Sequence, residues 1–169
     1  MGIIKAFFLF VIFGLAVYIG NSKASKYVDR VKELISFKSA LNILENKIKF
    51  TQTPLEEIFI QISKSSTEKN VINIFEALII NKNVNMHKTW GKVINTSETN
   101  LNNEDKKILI DMGRILGATD VEGQVSNIKI TSEFIDNQIK KAEGEKEKNV
   151  KLFRTLGIVS GLTIIIILL

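Results

Sequence analysis

The sequence contains no cysteine, a single proline and a single histidine. Without thiols there is no disulfide framework, no thiolate nucleophile and no zinc knuckle, a pattern that fits a reducing compartment. A zinc site around the lone His87 would have to be built largely from carboxylates, so His87 is more simply a polar residue on the helix that carries Trp90. The ten glycines are scattered without period, which rules out a collagen-like or low-complexity chain. Alternation at the strand period never lasts more than a few residues. No G-x-x-x-x-G-K-[ST] loop occurs, and Gly113-Arg114-Ile115-Leu116-Gly117 lacks both the lysine and the preceding strand of a phosphate cradle. The acidic neighbours Glu56-Glu57 and Glu104-Asp105 fall in first turns of predicted helices, where they complement the helix dipole and need no catalytic explanation. The inventory therefore predicts no enzyme active site, no cofactor and no metal.

A net charge of +5 raises the question of nucleic acid, but the positions of the cations answer it. Lys23, Lys26, Arg30, Lys32 and Lys38 form one group, and Lys140, Lys141, Lys146, Lys148, Lys151 and Arg154 form another. Between them the signs nearly balance, and no basic face interleaved with aromatics exists for a nucleic acid backbone.

What the chain does have is a long apolar run at each end. Residues 2–20 carry one charge, Lys5, and at about 1.5 Å per residue they nearly span a hydrocarbon core of about 30 Å. No small-x-small cleavage site follows, so a transmembrane helix is favoured over a signal peptide. Residues 152–169 form the second apolar run, with the Arg154 head able to snorkel to the interface. Both basic groups flank the middle segment, so the positive-inside rule places residues 21–151 in the cytoplasm and both termini outside. Gly157 and Gly161 make a G-x-x-x-G pair in the second anchor, and Ala16 with Gly20 repeats the small-residue spacing in the first.

The middle segment has helical periodicity throughout, and the expectation is an all-α, roughly six-helix antiparallel bundle flanked by an N-terminal and a C-terminal transmembrane helix. The first helix leaves the membrane with Tyr27, Val31, Leu34, Ile35, Leu41, Leu44 and Ile48 on its apolar face and ends near Phe50. Thr53-Pro54-Leu55-Glu56 is a helix start, with Thr53 as cap, Pro54 in the first turn and Glu56 closing a capping box. Ile58, Phe59 and Ile62 are its buried side. A third helix buries Val71, Ile74, Phe75 and Leu78, and a fourth carries Met86, Trp90, Val93 and Ile94, with Trp90 as a core residue. Asn103 caps a fifth helix presenting Ile108, Leu109, Met112, Ile115 and Leu116, and Gly117 stands at its C-terminal cap. The last helix begins near Asp120, buries Val121, Val125, Ile128, Phe134, Ile135 and Ile139, and passes through the solvated stretch AEGEKEKNVK into the membrane.

Several of these residues, taken in order, resemble the stage III sporulation protein AB family of endospore-forming bacteria. They are Leu44-Glu45-x-x-Ile48 followed by Thr53-Pro54-Leu55, the single Trp90, Leu116-Gly117 with Asp120 and Gln124, and Leu156-Gly157-x-x-x-Gly161 before the apolar tail. The resemblance covers nearly the whole chain. It implies a non-enzymatic component of the channel complex between mother cell and forespore, sitting in the mother-cell-derived membrane around the forespore. It also implies a cytoplasmic domain resembling the platform protein domain of type II secretion and type IV pilus systems, with the stage III sporulation protein AA ATPase and other membrane proteins of the complex as partners. The residues alone leave a second reading open, a membrane-anchored adaptor or regulator that binds a soluble signalling partner.

The topology is testable by cysteine labelling. A single cysteine at Ser65 should resist an impermeant maleimide in intact cells, and efficient labelling would overturn the cytoplasmic assignment.

Overall fold

A computed structural model of the protein describes residues 2–51, 53–81 and 86–168, with the side chains at 2, 3, 6 and 87 outside that description. Among the described residues the protein is all-α: α1 (Gly2–Asn46), α2 (Leu55–Ser65), α3 (Lys69–Ile80), α4 (Met86–Thr96), α5 (Asn103–Gly113) and α6 (Val121–Leu168). A π-helical turn, Lys47–Thr51, ends α1 close to the expected position. The chain divides into two compact units, one drawn from residues up to Val31 and from Ala142 onward, the other comprising Lys32–Lys141.

In the Lys32–Lys141 unit, α2 packs on α3, α3 on α4, and α4 on α5. The core is an aromatic cluster to which four helices each contribute one ring. Phe75 lies 6.3 Å from Phe37, 5.6 Å from Phe59 and 6.1 Å from Trp90, and Phe59 lies 6.0 Å from Trp90. Such tilted and edge-on pairs are the favoured geometries for rings and add to the apolar area they bury. Trp90 is 1 % exposed, and its Nε1–H donates to the Leu109 carbonyl at 2.7 Å, so the one polar atom of the indole is satisfied inside the core. Gly113 on α5 makes room for that ring: a Cβ there would sit 2.1 Å from Trp90 Cδ1.

Beside the rings lies a buried carboxylate that the apolar pattern does not reveal. Glu33 is 1 % exposed, and it accepts hydrogen bonds from Asn70 Nδ2 at 2.7 Å, Asn100 Nδ2 at 2.8 Å and the Asn100 backbone N–H at 2.9 Å. It thereby ties α1 to the first turn of α3 and to the loop between α4 and α5. Charge-assisted bonds of this kind are what make a buried carboxylate tolerable. Ion pairs on the periphery join α1 to α6 through Lys38–Asp136 and Lys129–Glu45, and α5 to α6 through Lys141–Glu104. These are largely exposed and contribute little individually.

The expected inward positions of α2 and α3 are all buried, as are Trp90, Val93 and Ile94 on α4. Tyr27, Met86, Ile108, Ile115, Val121 and Ile139 are half-buried, and two positions differ outright. Ile35 and Phe134, expected inward, are 49 % and 53 % exposed. Buried instead are Glu33 and Phe37 on α1 and Thr131 and Gln138 on α6. The buried stripe on α6 follows 125, 128, 131, 135 and 138, a helical three-and-four progression that a search for apolar residues alone leaves at Phe134.

The helix starts also differ in detail. Pro54 occupies the cap position of α2 and makes no side-chain cap bond, because the helix begins at Leu55. Thr53 is thereby one residue outside the reach of a capping bond, and its hydroxyl pairs with that of Thr51 at 2.5 Å. Asn102, not Asn103, caps α5. Its Oδ1 accepts from the Asp105 N–H at 2.8 Å, and the Asp105 carboxylate accepts from the Asn102 N–H at 3.0 Å. The reciprocal box needs an acceptor three residues on; Asn102 has Asp105 there, whereas Asn103 has the donor Lys106. At its other end α5 stops at Gly113 and tightens into three-residue turns, with Ile115 N–H on Met112 O at 3.1 Å and Ala118 N–H on Ile115 O at 3.0 Å. Ile115 and Leu116 therefore lie beyond the helix, and the cap position falls on Arg114 instead of Gly117.

Trp90→Ala should destabilise the protein by about 3–5 kcal/mol in chemical denaturation, and a change near zero would remove the ring cluster from the core. Glu33→Leu, which strands three donors, should cost about 3 kcal/mol or more by the same measurement. A neutral result there would mean that Asn70 and Asn100 do not depend on the carboxylate.

Candidate functional site

Among the described residues, two helices are long and apolar enough to cross a membrane. The helix beginning near the N-terminus reaches a mean hydropathy of 1.6 and Val121–Leu168 reaches 1.9, and only 11 % of each apolar window is buried. A core helix of a soluble domain would hide such side chains. Here Phe10 and Ile166 are 75 % and 76 % exposed, the pattern of a surface whose natural solvent is lipid.

Within the unit that holds both apolar segments, α1 and α6 touch through their small residues. A Cβ on Gly20 would lie 2.9 Å from Gly157 Cα and 2.7 Å from the Phe153 carbonyl; a Cβ on Gly157 would lie 3.0 Å from the Ala16 carbonyl. One turn on, Gly161 faces the Phe13 ring and Ala16 Cβ, with an added Cβ at 2.7 Å and 3.3 Å from them. Lipid tails are as apolar as leucine, so helices in a bilayer associate by close backbone packing, which side chains at these positions would prevent. The two anchors thus pair within one chain, and Leu156, adjacent in sequence, is half-exposed on the outer side. Toward the basic flank, Tyr27 and Phe153 stack at 5.9 Å, and buried Arg30 pairs with Glu145 at 2.6 Å. The charged stretch expected to be merely solvated therefore supplies a partner to a buried cation.

In the Lys32–Lys141 unit five of the candidate residues, Leu55, Leu116, Gly117, Asp120 and Gln124, meet at the corner between α5 and α6. Gly117 adopts φ +76°, the left-handed region that glycine enters at least cost. Its N–H donates to Gln124 Oε1 at 2.9 Å while Gln124 Nε2 donates to the Thr119 carbonyl at 2.9 Å, so one side chain on α6 closes the turn from both sides. Asp120 caps α6 by accepting the Gly123 N–H at 3.0 Å. Leu116 is buried, and the space beside Gly117 is occupied by Leu55 from the start of α2, 3.4 Å from where a Cβ would be. Glu45 stands apart at the end of α1, 3.7 Å from Lys129 on α6. Pro54 is exposed at the α2 cap, and Trp90 belongs to the core.

Leu55, Gly117, Asp120 and Gln124 are thus brought to one corner, and Gly157 and Gly161 to one helix pair, while Glu45, Pro54 and Leu156 are separate. The arrangement positions helices. Each buried carboxylate is committed to nearby donors, Glu33 to two asparagines and Asp105 to the α5 cap. Among the described residues no three His, Asp or Glu side chains gather as a metal site. Glu33, Arg30 and Gly113 are the important residues that sequence reasoning missed. Glu33 was within reach of it, since 33, 37, 40 and 44 follow the helical repeat of the buried face.

Comparison with known proteins agrees with this architecture. The family model for stage III sporulation protein AB matches residues 5–169. The stage III sporulation protein AB of Bacillus subtilis (strain 168) is 27 % identical over 155 residues, which is 89 % of this chain and 90 % of that protein. A solved structure of a stage III sporulation protein AB shares the fold, with a TM-score of 0.61 and 24 % identity over 71 % of this chain and 98 % of that one. With both apolar helices and the helical unit between them inside the matched region, the chain belongs to the stage III sporulation protein AB family.

Proposed function

We propose that the protein is a non-enzymatic platform in the membrane derived from the mother cell, where it helps to build the channel complex that connects mother cell and forespore. The observation that carries this reading is family membership over residues 5–169, together with a close-packed pair of apolar helices. Its Lys32–Lys141 unit lies in the cytoplasm, on the basic side of both anchors, and scaffolds or receives motion from the stage III sporulation protein AA ATPase. The absence of chemistry is supported by the use made of the buried carboxylates, each held by donors that fix a helix in place. Assembly, not turnover, is then the quantity that mutations should change.

The sharpest test acts on the helix pair. Gly157→Leu with Gly161→Leu would drive side chains into the Ala16 carbonyl and the Phe13 ring, while every contact of the Lys32–Lys141 unit stays in place. Helix content should be retained, and co-purified ATPase and spore yield should each fall about tenfold, the effect of losing about 1.4 kcal/mol of assembly free energy. Normal sporulation with partners at wild-type levels would remove the helix pair from the mechanism. Capture of a single soluble partner, without channel proteins, would favour a membrane-anchored adaptor instead.

A further inference from the structure

The unit containing the apolar segments has a groove of about 530 Å³ on the basic side of the membrane span, walled by Val28 of α1 and by two adjacent rows of α6. One row is Lys146, Val150 and Arg154, and the other is Glu147, Lys151 and Thr155, each spaced four residues apart and so stacked along one helix face. Three cations thus line the groove against one carboxylate. Among the described residues none of the three has an ion-pair partner, although nearby Arg30 has drawn Glu145 to itself. Arginine and lysine side chains gathered in a recess in excess over its one carboxylate present the donors that a phosphate oxygen accepts.

The depth of the groove says which phosphate. No charged residue follows Arg154 in the sequence. With the apolar run starting at Leu152, at the helical rise Lys151 lies about 1.5 Å outside the hydrocarbon span, and Arg154, about 3 Å inside it, reaches the interface by snorkelling. A bilayer's headgroup layer is about 5–7 Å thick on each side, so both cationic heads fall in it, and Lys146 at about 9 Å lies at its watery edge. Val28 and Val150 give the recess apolar walls against which a glycerol backbone can lie, and Thr155 adds a hydroxyl donor at its membrane end. We propose that this groove is a binding site for the phosphate headgroup of an anionic phospholipid, held by Arg154 and Lys151 and closed on one side by Val28. A bound lipid would bridge α1 and α6 just outside the span, beside the Tyr27–Phe153 stack.

The test uses the full chain in detergent, titrated with phosphatidylglycerol or phosphatidylcholine and read by native mass spectrometry, with circular dichroism to check each variant's fold. The wild type should retain phosphatidylglycerol in clear preference to phosphatidylcholine. Lys151→Gln with Arg154→Gln should weaken that binding about tenfold or more. Val28→Trp, which fills the groove and keeps every charge, should weaken it as well, whereas Lys106→Gln with Lys107→Gln on α5 should leave it unchanged. Equal retention of the two lipids, wild-type binding by Val28→Trp, or an equal loss in the α5 variant would reduce the effect to general charge attraction and overturn the site. Displacement of the lipid by inorganic phosphate at comparable concentration would also overturn it, by making the groove a site for a soluble anion.

Discussion

Taking a carboxylate out of water is costly enough that a polar chain with many surface positions normally leaves its glutamates outside. Glu33 is fully buried because three N–H donors from two asparagines meet it, and much of the Lys32–Lys141 unit follows from that meeting. Asn70 fixes where α3 begins. Asn100, held through both its side chain and its backbone, fixes the loop two residues before Asn102, whose capping box with Asp105 starts α5. The α5 backbone then supplies the Leu109 carbonyl to the Trp90 indole and the side-chain-free Gly113 beneath the ring. One buried carboxyl group thus sets the placement of a loop, a cap and an aromatic core in succession, and each step rests on a hydrogen bond whose loss would leave a buried donor or acceptor unpaired.

The other unit obeys a different solvent. Where water drives the rings of Phe37, Phe59, Phe75 and Trp90 together, no such force acts between two apolar helices in lipid, because a phenylalanine exposed to acyl chains loses nothing by staying there. The contact therefore uses residues with almost no side chain, and Gly20 and Gly157 bring backbone atoms to distances that even alanine would disturb. Nearer the aqueous side the physics reverts to rings and charges, with the Tyr27–Phe153 stack and the Arg30–Glu145 pair.

Much of this fold was legible in the sequence, since the apolar ends and the three-and-four spacing of 58, 59, 62 and 71, 74, 75, 78 each admit one structural explanation. What escaped has a common cause. Periodicity was read from apolar residues alone, so Glu33, Thr131 and Gln138 were passed over, and Ile35 and Phe134 were assigned to a face that the helical repeat turns away from. Polar burial depends on a partner distant in sequence: nothing near Glu33 announces that Asn70 and Asn100 will arrive. The helix starts were displaced by a single residue for a local reason, the choice between Asn102 and Asn103 being made by whether the third residue onward is an acceptor. The corner of Gly117, Asp120 and Gln124 was visible only as a resemblance, because a glutamine bonding back across seven residues to a left-handed glycine has no compositional signature.

The same bookkeeping of partners bears on how such a protein could act. Glu33 and Asp105 are each engaged by hydrogen bonds within the Lys32–Lys141 unit. Turned outward are Lys146, Lys151 and Arg154 on α6 in one unit, and exposed apolar side chains such as Phe50 and Ile80 in the Lys32–Lys141 unit. Charges and apolar surface presented to the outside can bind. Under the proposed platform role this distribution is the expected one. A protein that works by assembly needs an ordered interior, and it needs its unsatisfied surface where partners and lipid can reach it.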